Sequence, residues 1–179
     1  MNSTLFLSLV LAHIIGDFYL QTDKCCKQKE TRKFKSWFLY VHAIIIGLLS
    51  WIIIPSYNFG LWALLIAVSH LVIDAIKIHC QKGLWSFVID QLLHLGILAA
   101  ISSICETTKE LPLQMIDSSS SFSTPLLILA VLLCMKPANI LIKLILEKYQ
   151  VGESESCDNI KNAGALIGNL ERILTIVFV

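Results

Sequence analysis

Charged side chains are scarce in this sequence. Asp, Glu, Lys and Arg make up 15% of the 179 residues, against roughly 25% in ordinary soluble domains. Hydrophobic residues make up 56% and come in long blocks. No basic stripe with interleaved aromatic residues is present, so we expect no nucleic-acid partner. The composition indicates an integral membrane protein of one domain, with the lipid bilayer as its surroundings.

Three other patterns are missing. The apolar blocks lack the alternation of barrel strands, so helices are the expected way to cross a bilayer. The first block has no basic start and no small-residue cleavage site, and we interpret it as a permanent span rather than a signal peptide. The six cysteines include no C-x-x-C pair, and we interpret them as apolar fillers and incidental thiols.

Six segments are candidates for spans of about 20 residues each. They cover residues 4–21, 37–54, 61–79 and 85–104, a fifth that starts near residue 125, and a sixth over residues 163–179. We therefore predict an all-α, polytopic transmembrane bundle of five to six spans, with residues 1–179 as a single domain. The sixth segment reaches Val179 without a polar flank, so we expect the chain to be a C-terminally truncated form of something longer.

The loop after the first segment predicts the orientation. Its sequence, QTDKCCKQKETRKFKS, holds six Lys and Arg residues against Asp23 and Glu30. An excess of Lys and Arg is typical of cytoplasmic loops, so the N-terminus is predicted to lie outside.

The fifth segment is irregular because Lys136 and Pro137 lie near its middle. Proline removes a backbone donor and kinks a helix. In the following stretch, ILIKLILEKY, the charged residues recur at a spacing that places them on one face of a helix. We predict a break near Pro137 and an amphipathic cytoplasmic helix after it.

Ionisable side chains recur inside the apolar segments. Three pairs of His and Asp are each four residues apart, which places both members of a pair on one helix face. A further histidine lies in the second segment. The residues are His13 and Asp17, His42, His70 and Asp74, and Asp90 and His94.

The depth of these residues is the stronger signal. In segments of alternating direction, all seven fall roughly 6 to 14 Å below the cytoplasmic interface. The order of His and Asp reverses in the fourth segment, as its direction does. The sequence therefore predicts one polar slab in the inner half of the bundle.

Buried carboxylates are costly in a bilayer and need partners. Imidazole and carboxylate together suit a divalent ion such as zinc, iron or manganese. We predict as metal ligands His13, Asp17, His70, Asp74, Asp90 and His94, with His42 as a ligand or an acid. A bound ion would supply a nucleophilic water for a hydrolase acting on a lipid-like or membrane-embedded substrate.

Two other interpretations stay open. The same groups suit a transporter or relay for protons or metal ions. They also suit interhelical hydrogen bonding in a structural or regulatory membrane partner.

Several groups lie near the predicted slab. Glu171, at the same depth in the sixth segment, is a candidate general base, and Arg172 a candidate anion clamp. For both residues, an ion pair with residues of the slab is an equally good interpretation. Gln21 and Gln91 are candidate donors to the ligands. Lys77 and Lys136 are expected to reach the inner surface along their apolar stems.

These motifs resemble the bacterial integral membrane family catalogued as domain of unknown function 3307. The matching stretches are LAHIIGDFYLQTD, HAIIIG, SHLVIDAIKI, IDQLLHL and GALIGNLERIL. The resemblance implies a multi-pass helical protein of the bacterial inner membrane, with further hydrophobic sequence after the LER stretch, and implies no activity. A likeness of the His and Asp pattern to intramembrane metal-dependent hydrolases is an analogy of site chemistry.

Overall fold

The computed structural model describes residues 3–22, 28, 31, 33–54, 56–79, 83–108, 123–149, 168–169 and 171–172. Within these residues all regular structure is helical, as predicted. The first helix continues as a wider π-helical segment, Ile15–Leu20. The α-helices are α1 (Ser3–Ile14), α2 (Trp37–Ile53), α3 (Gly60–Lys77), α4 (Leu84–Thr108) and α5 (Ser123–Tyr149).

Three of these helices are long and apolar enough to cross a membrane. The apolar stretches are Tyr57–Lys77, Leu84–Cys105 and Leu126–Ile145, of 21, 22 and 20 residues. Thr4–Leu20 and Trp37–Ile53 are apolar but shorter. The number of spans and the N-terminus outside stay predictions. The predicted sixth span lies outside the described residues, apart from the helical positions 168–169 and 171–172.

The first four helices form a closed ring. α1 contacts α2 and α4, and α3 contacts α2 and α4. α5 lies outside this ring, where it contacts α1, the π-helical segment and α4. Side chains from four helices can therefore meet at the axis of the ring.

The surface of the ring is apolar and its interior is partly polar. Ile52, Trp37 and Leu61 are 71%, 67% and 65% exposed, whereas four histidines and two aspartates are buried. An apolar surface of this extent is unfavourable in water. It suits a bundle whose outer surface faces lipid and whose polar groups satisfy one another.

An apolar core fills one end of the ring. Fully buried members include Leu9, Ile46, Phe59 and Ile66. α2 and α3 approach closely there because Gly47 has no side chain. A Cβ at that position would lie 2.9 Å from Ala67 Cβ and 3.0 Å from the Ala63 carbonyl oxygen. Small residues allow this close helix packing without a hydrophobic driving force between helices.

The predicted break at Pro137 is wrong. α5 continues from Ser123 to Tyr149 with Pro137 inside it, and the apolar stretch Leu126–Ile145 passes through the proline. One proline removes only one helical hydrogen bond. Ending the helix in an apolar medium would leave many more backbone groups unpaired, so a continuous helix is favoured. The separate amphipathic helix after Pro137 is accordingly part of α5.

Candidate metal centre

Seven ionisable side chains meet inside the four-helix ring, and we call them the His/Asp centre. Each is at most 9% exposed. The spacing of four residues places each His and Asp pair on the inner face of its helix, as predicted. The members are His13 of α1, Asp17 of the π-helical segment, His42 of α2, His70 and Asp74 of α3, and Asp90 and His94 of α4.

The tightest part of the centre is a triangle of three atoms from three elements. Asp17 Oδ1 lies 2.9 Å from His42 Nε2 and 3.3 Å from His70 Nε2. The two Nε2 atoms are 3.1 Å apart. Ligands at 2.0 to 2.1 Å in a tetrahedron around zinc are about 3.3 Å from one another. The edges of the triangle, 2.9 to 3.3 Å, have hydrogen-bonding length and are close to the edges of one face of such a tetrahedron.

The remaining members extend the centre on both sides. His13 Nε2 is 3.8 Å from Asp17 Oδ2. Asp74 Oδ2 is 4.0 Å from His42 Nε2 and 3.9 Å from His70 Nε2. Potential ligand atoms lie within 4.8 Å of one another in three groups: His13, Asp17 and His70; His42, His70 and Asp74; and Asp74, Asp90 and His94.

Asp90 and His94 of α4 each have one buried side-chain atom without a hydrogen-bond partner. His94 Nδ1 lies 2.8 Å from the Asp90 carbonyl oxygen, so this nitrogen carries the proton and donates it. Nε2 is then left with a lone pair. Among buried side-chain atoms of the described residues, His94 Nε2 and Asp90 Oδ1 are two of three that lack a hydrogen-bond partner. A histidine held by its other nitrogen on a carbonyl is the usual arrangement of a metal ligand.

Gln91 connects the carboxylates of two helices. Its Nε2 donates to Asp17 Oδ2 over 3.2 Å and to Asp90 Oδ2 over 3.1 Å. Its Oε1 lies 3.4 Å from His13 Nε2. Gln91 thus lies beside the His and Asp pairs, as the sequence predicts, and its amide bonds hold the two carboxylates in place.

Each of the two lysines binds an acceptor on a neighbouring element, and both keep exposed side-chain surface, so their reach to the inner surface stays a prediction. Lys77 donates to Asp90 Oδ2. Lys136 Nζ donates to the Phe18 carbonyl oxygen over 2.9 Å. The sequence shows that both lysines lie in apolar segments but does not show which acceptors neighbouring helices present.

α5 holds the π-helical segment at two points. Besides the Lys136 bond, Tyr19 Oη donates to the Leu132 carbonyl oxygen over 2.9 Å. Carbonyls at the end of a helix have no donor within the helix, and a cation is favoured there. These contacts fix the segment that carries Asp17.

The sixth-segment candidates lie apart from these ligand groups. Glu171 is exposed and belongs to none of the three groups found among the described residues. Arg172 Nη1 donates to Asn139 Oδ1 over 2.7 Å and to the Cys134 carbonyl oxygen over 3.2 Å, both on α5. The catalytic role of Glu171 stays a prediction. His42, the other catalytic candidate, lies in the centre.

A small cavity adjoins the centre. Imidazoles of His13, His70 and His94 form part of its wall. The other walls are mainly isoleucine and leucine side chains of α2, α3 and α4. The centre thus has open volume beside three of its imidazoles, bounded by apolar surface.

Comparison with known proteins gives one match. Residues 5–123, more than half of the chain, match the model of the family described as Protein of unknown function (DUF3307). This range includes every member of the His/Asp centre. No curated protein and no solved structure matches the chain.

Proposed function

The chain belongs to the family described as Protein of unknown function (DUF3307), and we propose that its His/Asp centre binds a divalent metal ion and hydrolyses a lipid-like substrate. Zinc, iron and manganese fit the mixture of imidazole and carboxylate. The protein would lie in the bacterial inner membrane as a multi-pass bundle, with the centre near the cytoplasmic side.

One observation carries the proposal: the triangle of Asp17 Oδ1, His42 Nε2 and His70 Nε2, with edges of 2.9 to 3.3 Å. Three residues from different elements bring three potential ligand atoms within 3.3 Å of one another. Electrostatics supports the proposal as well. The three carboxylate side chains of the centre are at most 9% exposed, and among the described residues the ammonium group of Lys77 contacts one of them, so further positive charge would stabilise the centre.

The chain would contribute the following to hydrolysis. A divalent ion activates water as a nucleophile near neutral pH. Gln91 holds Asp17 and Asp90 in place by its amide bonds. His42 has its Nε2 between Asp17 and His70, which suits a further ligand or a proton donor to the leaving group. The apolar surroundings favour an ester, phosphoester or amide bond of a membrane-embedded molecule.

Metal analysis tests the first half of the proposal. Protein purified in detergent without chelator should carry at least one zinc, iron or manganese ion per chain, measured by inductively coupled plasma mass spectrometry. Asp17→Asn and His70→Gln should lower this occupancy. His79→Gln is the matched control, because His79 is an exposed histidine at the end of α3 whose Nδ1 bonds the Ala75 carbonyl. Metal-free wild-type protein would defeat the proposal.

Product analysis tests the second half. Proteoliposomes made with bacterial lipid extract should release hydrolysis products that mass spectrometry detects. Release should stop on chelation, return on adding metal and be absent from the Asp17→Asn variant. Stoichiometric metal without any metal-dependent product would exclude hydrolysis of these lipids but leave the metal centre standing.

A relay or transporter is the second candidate, because the polar groups form a connected chain. Asp17 Oδ1 lies 2.9 Å from His42 Nε2 and 3.3 Å from His70 Nε2, and the two imidazole nitrogens are 3.1 Å apart. Chains of aspartate and histidine can pass protons between their members. A proton or metal-ion flux in proteoliposomes that Asp17→Asn abolishes would favour this candidate over hydrolysis.

A further inference from the structure

We propose that the His/Asp centre has two positions for divalent ions. The ammonium group of Lys77 supplies the positive charge at the second position until a second divalent ion displaces it. This inference rests on the proposed metal centre. It adds a second site, its ligands and the residue that controls its occupancy.

The potential ligands divide into two separate sets. The group of His13, Asp17 and His70 shares no residue with the group of Asp74, Asp90 and His94. We call the site between the first three residues the first position and the site between the other three the second position. His42 belongs to the first position because it contacts Asp17 and His70.

Asp74 connects the two positions. It is also grouped with His42 and His70, yet its Oδ2 stays 3.9 to 4.0 Å from their Nε2 atoms. That distance exceeds the edges of the tight triangle. A carboxylate has two oxygens, so Asp74 can face both positions. Two-metal hydrolytic sites have ions about 3.5 to 4 Å apart.

The second position contains the unpartnered atoms. Asp90 is 3% exposed and His94 is 4% exposed, and Asp90 Oδ1 and His94 Nε2 have no hydrogen-bond partner. Buried polar atoms in native proteins nearly always have a partner. Both atoms have lone pairs, and they belong to residues that are grouped with Asp74 as potential metal ligands, so a cation bound at this position would supply a partner.

Lys77 supplies positive charge at this position. Its ammonium group contacts Asp90 Oδ2 and interacts electrostatically with Asp74 and Asp17. Its side chain is 40% exposed, and Lys77 is the last residue of α3. A lysine at a helix end can swing its charge to the interface on its flexible stem. The ammonium can therefore leave without unfolding the helix.

The charges of the centre agree with such an exchange. With neutral histidines, three carboxylates and the Lys77 ammonium leave two negative charges, which one divalent ion neutralises. When the ammonium leaves, three negative charges remain. Two divalent ions with one bridging hydroxide would balance them. Both states are close to neutral, as a low-dielectric site requires.

Metal titration of the intact protein in detergent tests the proposal. Isothermal titration with Mn²⁺, after chelator removal, should resolve one tighter and one weaker binding step in the wild type. Lys77→Met should tighten the second step by about tenfold, a coupling of the usual size between charged sites, and change the first by less. Asp90→Asn should remove the second step and keep the first. Lys143→Met is the control, because Lys143 is an exposed lysine of α5.

Paramagnetic resonance provides an independent readout. Two Mn²⁺ ions that share a carboxylate should give an exchange-coupled signal. This signal should appear at a lower Mn²⁺ concentration in Lys77→Met than in the wild type. One ion in every variant would overturn this proposal while leaving the metal centre intact. Two ions with equal affinity in wild type and Lys77→Met would overturn the role of Lys77. No ion in the wild type would defeat the proposed function as well.

Discussion

At the scale of single residues, the centre combines groups that are costly to bury alone. Asp74 and Asp90 are 7% and 3% exposed, and a carboxylate at this depth is unfavourable without a counter-charge. Their burial on the inner faces of α3 and α4 therefore requires partners for both charges.

Asp74→Asn separates a functional centre from a structural one. The amide has nearly the same shape, and it removes one of three mutually repelling carboxylates, so the variant should fold with an unfolding temperature at least equal to that of metal-free wild type. It should lose metal affinity by about tenfold or more. Thermal unfolding in detergent and metal titration measure the two effects. A variant that complements a deletion strain fully would instead indicate that the centre only packs the helices.

Gln91→Leu tests the orienting amide. The substitution removes the hydrogen bonds to Asp17 and Asp90. Leucine has a similar size and also favours a helix. Metal affinity should fall by about 10 to 100-fold, the usual effect of removing a group that orients ligands. Ser103→Ala is a control on the same helix, because Ser103 Oγ bonds only the Ala99 carbonyl among the contacts described. Equal metal affinity in both variants would contradict the role of Gln91.

At the scale of helices, close packing of α2 on α3 supports the ring around the centre. Gly47→Ala would place a Cβ against the Ala63 backbone and Ala67, and overpacking of this kind costs about 1 to 3 kcal/mol. Gly96→Ala meets no atom within 4 Å and should stabilise α4 by about 0.5 to 1 kcal/mol. Thermal unfolding followed by tryptophan fluorescence should show shifts of opposite sign. Shifts of the same sign would contradict the packing described.

The contact between α5 and the π-helical segment has a separate test. Wide π-helical turns are frequent at functional sites, and this one carries Asp17. Lys136→Met removes the bond to the Phe18 carbonyl, so hydrogen exchange over residues 15–20 should accelerate and metal affinity should fall. Lys143→Met should change neither. Unchanged exchange in Lys136→Met would show that α5 does not hold the segment.

At the scale of the whole molecule, the apolar core and the polar centre adjoin inside the ring, where core residues line a cavity together with three histidines of the centre. The turn Tyr57–Phe59 borders the core, while the short turn Lys33–Lys35 precedes the end of α2 that carries His42. With the predicted orientation, the centre would lie nearer the cytoplasmic side, where soluble metal ions and water are available.

Labelling of single cysteines tests this orientation. In a cysteine-free background, Tyr57→Cys should react with a membrane-impermeant maleimide in intact cells, because Tyr57 is 92% exposed on the predicted outer side. Gln28→Cys, in the Lys-rich loop, should react only after permeabilisation. The reverse pattern would place the centre on the outer side and would remove the cytoplasmic assignment.

Much of the fold and of the centre follows from local pattern. Helical periodicity and apolar composition predict the five helices, since both depend on the chain's own sequence and its solvent. The spacing of four residues and the common depth of His13, His70 and Asp90 indicate that these residues converge, because a rigid helix converts sequence position into height and direction.

The remaining features arise from contacts between segments distant in the chain. Sequence spacing does not show that Asp17 meets His42 and His70, or that Gln91 joins two carboxylates. It does not show either that Lys77 binds Asp90 and Lys136 the Phe18 carbonyl. It also predicts a helix break at Pro137 that the packed bundle does not have. Rotation and approach of neighbouring helices select these contacts, and buried polar atoms accept whichever donors the tertiary packing brings within reach.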